Sequence, residues 1–482
     1  MTGSAPGTGD TQVAPATRSQ RPAGPPGATT LERKAAARRA LLQGPILSTL
    51  IRLALPTLLV LLAQTAVNVV ETFYVGFLGT ESLAGVALVF PVFMLMMTMS
   101  AGGIGSGVGS AVARALGSGR QDDADALVLH SLVLAIVIGA LFSIGVIWAG
   151  PWIYRTLGGR GVSLRSALVY SNTLFSASIA VWVVNLLAAA LRGAGNVKLP
   201  AMVTLFGALI MIPASPALIF GFGPIPRLGI AGAGLAFAVY YGVAALILLR
   251  YLMSGRSELR LKWARPQRRL FTDILKVGAP SALNTVQTNL TVILITGTVG
   301  SFGISALAGY GIASRLDYVM IPILFGLSSG VLTMVGVNVG AGQMERAKRI
   351  ARIAAGAGFA LAECIGVLAA AAPLTWLHLF SRDPAVLDQG VTYLRIVAPA
   401  YGLLGVAFVV SFAAQGAGHV KWPFIGNSVR MVVAAGLGWI AVKSMGAGMT
   451  GLAFIIAASL ATYALIASIA MISPAVWREN RP

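Results

Sequence analysis

Acidic side chains are scarce in this chain. Only 15 of its 482 residues are Asp or Glu, against 35 Lys and Arg, and charge of either sign makes up 10% of the sequence. A soluble domain carries about a quarter of its residues as charge, so a water-shielded globular fold is excluded. Cysteine is down to one, Cys364, set inside an apolar run. It closes no intrachain disulfide and cannot by itself build a metal site. Three histidines, His130, His378 and His419, are scattered, so no metal centre is expected. No GxxxxGK[ST] occurs, which argues against ATP-driven work by this chain alone.

Apolar residues fill the space these absences leave: 57% of the chain is hydrophobic and its mean hydropathy is +0.83. The chain therefore reads as an all-α polytopic membrane protein. Its formal charge of +20 does not indicate nucleic acid, because the basic residues cluster between apolar runs, where membrane orientation is set.

Residues 1–44 are rich in Gly, Pro, Ala, Thr and Ser and turn basic at Arg33, Lys34, Arg38 and Arg39. They read as a disordered basic tail without the apolar core of a signal peptide. Twelve apolar runs follow between residues 46 and 474, each bounded by charge or by Gly/Pro punctuation. Lys and Arg fall heavily on the side of the two termini. That asymmetry predicts a multi-pass protein of the cytoplasmic membrane with both termini cytoplasmic.

The sequence also repeats. Pro56 and Leu83-Ala84-Gly85 recur 224 positions on, as Pro280 and Leu307-Ala308-Gly309. Gly117-Ser118-Gly119 recurs 223 positions on, as Gly340-Ala341-Gly342, and AALRGAGNVKLP at 189–200 recurs as FAAQGAGHVKWP at 412–423. Two six-helix lobes follow, 45–253 and 271–474, joined by a basic cytoplasmic linker at 254–270, with a short cytoplasmic end at 475–482. Six helices is an even number, so the lobes insert the same way up, related by a pseudo-twofold axis along the membrane normal. That is transporter architecture.

Residues 53–79, LALPTLLVLLAQTAVNVVETFYVGFLG, carry a carboxylate inside a spanning run. A charge at the bilayer centre costs on the order of 3 kcal/mol, so Glu71 is neutral, wet or paired. At 3.6 residues per turn, Gln64, Asn68 and Glu71 share one helix face, which lines a cavity or a neighbouring helix rather than lipid. The plain structural alternative is that Gln64 and Asn68 join helices and Glu71 is a buried acid. Asn284, Gln287, Thr288 and Thr291 form a similar stripe in the seventh run, and Arg315 and Asp317 are expected to be buried in the eighth. Glu363 is left open, and Arg430 reads as structural. Pro56 and Pro280 are candidate hinges, since each removes a helical hydrogen bond; a static kink is the alternative. Met94 and Met97, in the Met-rich run 94–99, offer an adaptable apolar surface or simply pack. The glycine-rich stretch 102–110 reads as close helix packing.

LPTLL, NVVETFYVGFLG, the GSGRQDDADAL loop, ALRGAGNVKLP and GAGQMERAKRIA, in that order and duplicated, resemble the multidrug and toxic compound extrusion (MATE) family over about residues 46–474. The resemblance implies a twelve-helix antiporter that exports organic, often cationic or amphipathic, compounds in exchange for H⁺ or Na⁺. It implies an ion-coupling role for Glu71, where Asp is usual, with Asp317 second and Tyr170 and Asn185 facing the same cavity. Where the family sets an Asn and an Asp before a proline in the fifth helix, this chain has Met211 to Pro216 without either. A Na⁺ cage of oxygens is then harder to assemble, and a lone carboxyl suits a proton. No cofactor, enzyme chemistry or nucleic acid is expected, and a monomer contains the whole pathway. A lipid-linked oligosaccharide flippase of the same superfamily is the alternative, and a channel a weaker one.

Overall fold

A computed structural model describes residues 2, 3, 38–224, 226–474, 476 and 477. Most of the expected tail, with Arg33 and Lys34, and residues 478–482 lie outside the described residues.

Helices dominate: α1 (Ile46–Gly76), α2 (Thr80–Gly117), α3 (Gln121–Thr156), α4 (Gly161–Phe175 with Ser178–Gly193), α5 (Lys198–Phe220) and α6 (Ile230–Met253) form the first lobe. The second lobe holds α7 (Arg268–Gly300), α8 (Ile304–Gly340), α9 (Met344–Ala371), α10 (Pro384–Ala417), α11 (Lys421–Met445) and α12 (Met449–Ile472). Ten are long and apolar enough to cross a membrane, and α4, bent by 48° at its break, makes an eleventh. By composition α7 is the least apolar, because Asn284, Thr285, Gln287, Thr288, Asn289 and Thr291 crowd its middle. Twelve passes return the chain to its starting side, here called the terminus side. Outer faces are apolar and open, as Trp148 at 84% exposure illustrates, while small residues face inward, the pattern of helices packed in lipid.

The repeat is visible in packing. Gly117 sits against the Val337 carbonyl and Gly340 against the Arg114 carbonyl, and these are equivalent positions 223 apart. A Cβ on Gly103 would lie 2.7 Å from Ala282 Cα, and one on Gly326 would lie 3.4 Å from Leu58 Cβ, the equivalent pairing. Each lobe's second helix thus packs on the other lobe's helices, and all these approaches fall in the terminus-side halves of the helices. Gly117→Val and Gly340→Val should each cost about 1–3 kcal/mol by overpacking. The melting temperature of detergent-purified protein should fall by several degrees, whereas Gly145→Val, with open space around it, should leave it unchanged. Equal melting for all three would remove this account of the lobe contact.

Turns repeat as well: Gly79 and Gly303 precede α2 and α8 at φ 102° and 105°, a region open to glycine and costly for other residues. One departure is instructive. The repeat offset falls from 224 to 223 between Gly85 and Gly117, so α2 has one residue more than α8 there. That stretch contains a π-helical turn, Met99–Ile104, the way a helix absorbs a single extra residue.

Candidate functional site

In the first lobe Glu71 is 6% exposed and projects inward from α1, one and a half turns before its end. Among the described residues, its Oε1 has no hydrogen-bond partner. Tyr170 of α4 and Tyr241 of α6, both buried, lie close enough to feel its charge. Gln64 and Asn68, on the same stripe, are half-buried. The remaining wall is aromatic and sulfur-rich: the Tyr241 hydroxyl reaches Met97 Sδ at 3.5 Å, and Phe93 meets Phe237 edge-on at 5.2 Å. Met94 is half-buried against the same core. Asn185 is buried and donates from Nδ2 to Ser100 Oγ at 2.8 Å, tying α4 to the π-helical turn of α2.

The second lobe carries its own carboxyl. Tyr401 of α10 and Arg430 of α11 face Asp317 of α8, and Tyr393 lies in the same field. Asp317 Oδ1, the Tyr401 hydroxyl and Arg430 Nε are buried without a well-aligned hydrogen bond among the described residues. Tyr170 and Tyr393 are repeat-equivalent, each beside its lobe's acid. The acids themselves are not equivalent: Ile295 stands where Glu71 would recur, and Phe93 where Asp317 would. Arg430 thus has a partner field that its sequence context did not suggest.

Other expectations change on contact with the structure. Arg315 is not buried with Asp317; it is exposed, its guanidinium carbon 5.4 Å from the Phe380 ring centroid. The α7 stripe joins helices: Gln287 Nε2 donates to Ser428 Oγ at 2.8 Å, and Asn427 Nδ2 donates to the Asn284 carbonyl at 3.1 Å and Thr288 Oγ1 at 3.2 Å. Glu363 Oε2 accepts the Gly402 N–H at 2.8 Å, a structural bond. Pro56 and Pro280 each lie inside a helix that continues on both sides of them; irregular turns are also found at the π-helical segments Met99–Ile104 and Val432–Leu437 and at the bend of α4.

The terminus side is closed by a polar lattice that sequence alone had treated as loop charge. Arg114 is buried in α2 and donates to Asp273 of α7 at 3.0 Å; it also contacts Ser110 Oγ and the Gly416 carbonyl. Lys276 pairs with Asp273 at 2.6 Å. Ser110 donates to the Gln415 carbonyl, and its equivalent, Thr333, donates to the Arg192 carbonyl at 2.9 Å, one bond crossing in each direction. His419, in the turn between α10 and α11, is held below the usual histidine range by burial, then by Lys276 and Arg114, against one hydrogen bond to the Ala417 carbonyl. The linker is strapped to α3, with Asp125 accepting the Arg260 N–H at 2.9 Å and pairing Lys262 at 3.2 Å.

Comparison with known proteins matches this two-lobed plan. The MatE family profile fits residues 56–217 and again 280–440. An FAD transporter of Shewanella oneidensis is 28% identical over 409 residues, covering 82% of this chain and 88% of its own length. The probable multidrug resistance protein YoeA of Bacillus subtilis is 26% identical over 378 residues, covering 77% and 81% respectively. The crystal structure of a MATE protein in its bent conformation shares the fold, with a TM-score of 0.84 at 24% identity over 90% of this chain and 96% of that one. With one family match in each lobe, their starts separated by the same 224 residues as the repeated prolines, the chain belongs to the MatE family.

Proposed function

We propose that this protein is a secondary active transporter of the cytoplasmic membrane that exports organic, amphipathic compounds in exchange for protons. The observation that carries the proposal is Glu71: an inward-facing carboxyl without a cation or hydrogen-bond donor among the described residues, between two tyrosines and above a Met- and aromatic-lined wall. Such a group gains or loses a proton at the cost of one buried charge, and that charge biases the arrangement of the helices around it. A cationic substrate and a proton compete for the same carboxyl. The names of the relatives, which include an FAD transporter and a multidrug resistance protein, support an organic substrate.

In this reading the terminus side is cytoplasmic, following its excess of Lys and Arg, and the structure is closed on that side. Alternating access then requires the Arg114 lattice to part while the opposite ends of the lobes approach. The test is substrate-driven proton movement in proteoliposomes, run with and without Na⁺. Protons should move on substrate addition in Na⁺-free buffer. Movement that appears only with Na⁺, or none at all, would sink the assignment of the proton.

A further inference from the structure

A small cavity of about 20 Å³ lies between the lobes, and Arg192 is in its wall. It sits on the pseudo-twofold axis: Ser106 and Ser329, and likewise Ala189 and Phe412, are repeat-equivalent residues lining it from opposite lobes. Arg192 breaks that symmetry, because its equivalent is the uncharged Gln415. We propose that this pocket binds an acidic group, a carboxylate, a phosphate or an inorganic anion, through the Arg192 guanidinium.

An arginine side chain is always charged and presents five N–H donors in a rigid fork. No ion pair or hydrogen bond to the Arg192 side chain is formed by the described residues; the bond at this position uses its backbone carbonyl, which accepts from Thr333. The neighbouring hydroxyls cannot take its place as donors. Ser106 Oγ already donates to the Gly102 carbonyl at 2.6 Å, and Ser329 Oγ to the Gly326 carbonyl at 2.9 Å. Phe325 and Phe412, edge to face with centroids 5.5 Å apart, make the rest of the wall apolar. A charge-assisted hydrogen bond strengthens in such surroundings, and a cation is repelled. Size narrows the class further: about 20 Å³ is room for roughly one water-sized group. The pocket therefore suits a compact anion, or the acidic end of a larger aromatic compound.

The inference concerns binding and stands whether or not protons drive transport. It is tested on purified full-length protein in a zwitterionic buffer of low ionic strength without added salt, by following the melting temperature against rising benzoate, phosphate and chloride, with benzamide as the neutral control. A saturable rise with at least one anion, and none with benzamide, is expected for the wild type. Arg192→Gln should move the half-saturating concentration up by about tenfold or more, and Arg192→Lys, which keeps the charge without the fork, by less. Benzoate acting at about a tenth of the phosphate and chloride concentrations assigns the acidic group of an organic compound; the reverse order assigns a free inorganic anion. Should Arg192→Gln not purify as a single species, the comparison rests on Arg192→Lys, which must then show the upward shift. No saturable anion effect in the wild type, or unchanged half-saturation in the variants, overturns the proposal.

Discussion

Glu71→Gln should abolish the proposed proton-coupled efflux and leave the protein folded in the membrane. The two side chains have nearly the same shape, so the packing between Tyr170 and Tyr241 is kept, while the group can no longer exchange a proton. No cation among the described residues relies on the Glu71 charge. Removing it therefore strands no partner, unlike a buried salt bridge, where losing one member costs about 3–5 kcal/mol. Melting temperature should stay level or rise, since an ionisable group is expensive inside a membrane. Efflux against a concentration gradient should fall by more than about tenfold, because a carrier whose two arrangements are no longer biased by protonation has no means of coupling. Downhill exchange of labelled substrate should persist. Uphill export at the wild-type rate, or a destabilised protein, would mean that Glu71 is a structural acid.

Asp273→Asn should open the terminus side. The Arg114 side chain is 7% exposed and Asp273 is the carboxylate it reaches. Neutralising Asp273 leaves a buried guanidinium with only Ser110 and the Gly416 carbonyl, at a cost of about 3–5 kcal/mol to the closed arrangement. Spin labels placed on the terminus-side ends of α2 and α8 should show a longer distance population that the wild type lacks. The double variant Arg114→Gln with Asp273→Asn strands no charge, so its distances should fall back toward the wild type. An unchanged distance distribution in Asp273→Asn, or a double variant more open than the single, would show that the ion pair does not hold the lobes together. The contrast with Glu71 is physical: one carboxylate has a cation built for it across the lobe boundary, and the other has none.

Much of this was legible in the sequence, because apolar length, basic asymmetry and repeats are one-dimensional signals. Length and hydropathy mark most of the spans directly, and matched glycines at a fixed offset mark the lobes. Glu71 was legible too, since a carboxylate within 27 residues of otherwise uncharged sequence, 53–79, stands out anywhere. Partners were not legible. Arg315 and Asp317 are two positions apart and point to different surroundings, one to a Phe380 ring at the rim and one to Tyr401 and Arg430 in the interior. Arg114 counts in the sequence only toward the basic excess on the side of the termini, because its burial against α7 is a property of the tertiary fold. The Asn284 stripe has the right spacing for a cavity wall, but spacing cannot say whether the facing surface is solvent or α11. The step in offset from 224 to 223 was present in the sequence, but only the structure shows the irregular turn in α2 that absorbs it.

That additional residue has a mechanical consequence. The turn absorbs the additional residue locally, so the part of α2 beyond Met99–Ile104 keeps the facing of its counterpart in α8, as the matched approaches of Gly117 and Gly340 show. The two helices differ in build: α8 runs as α-helix from Ile304 to Gly340 and lacks the one ladder bond that Pro322 cannot donate, whereas α2 carries a π-helical turn between its outer half and the Arg114 latch. On the proposed coupling, a proton taken up at Glu71 would act on the lobe whose second helix carries this turn.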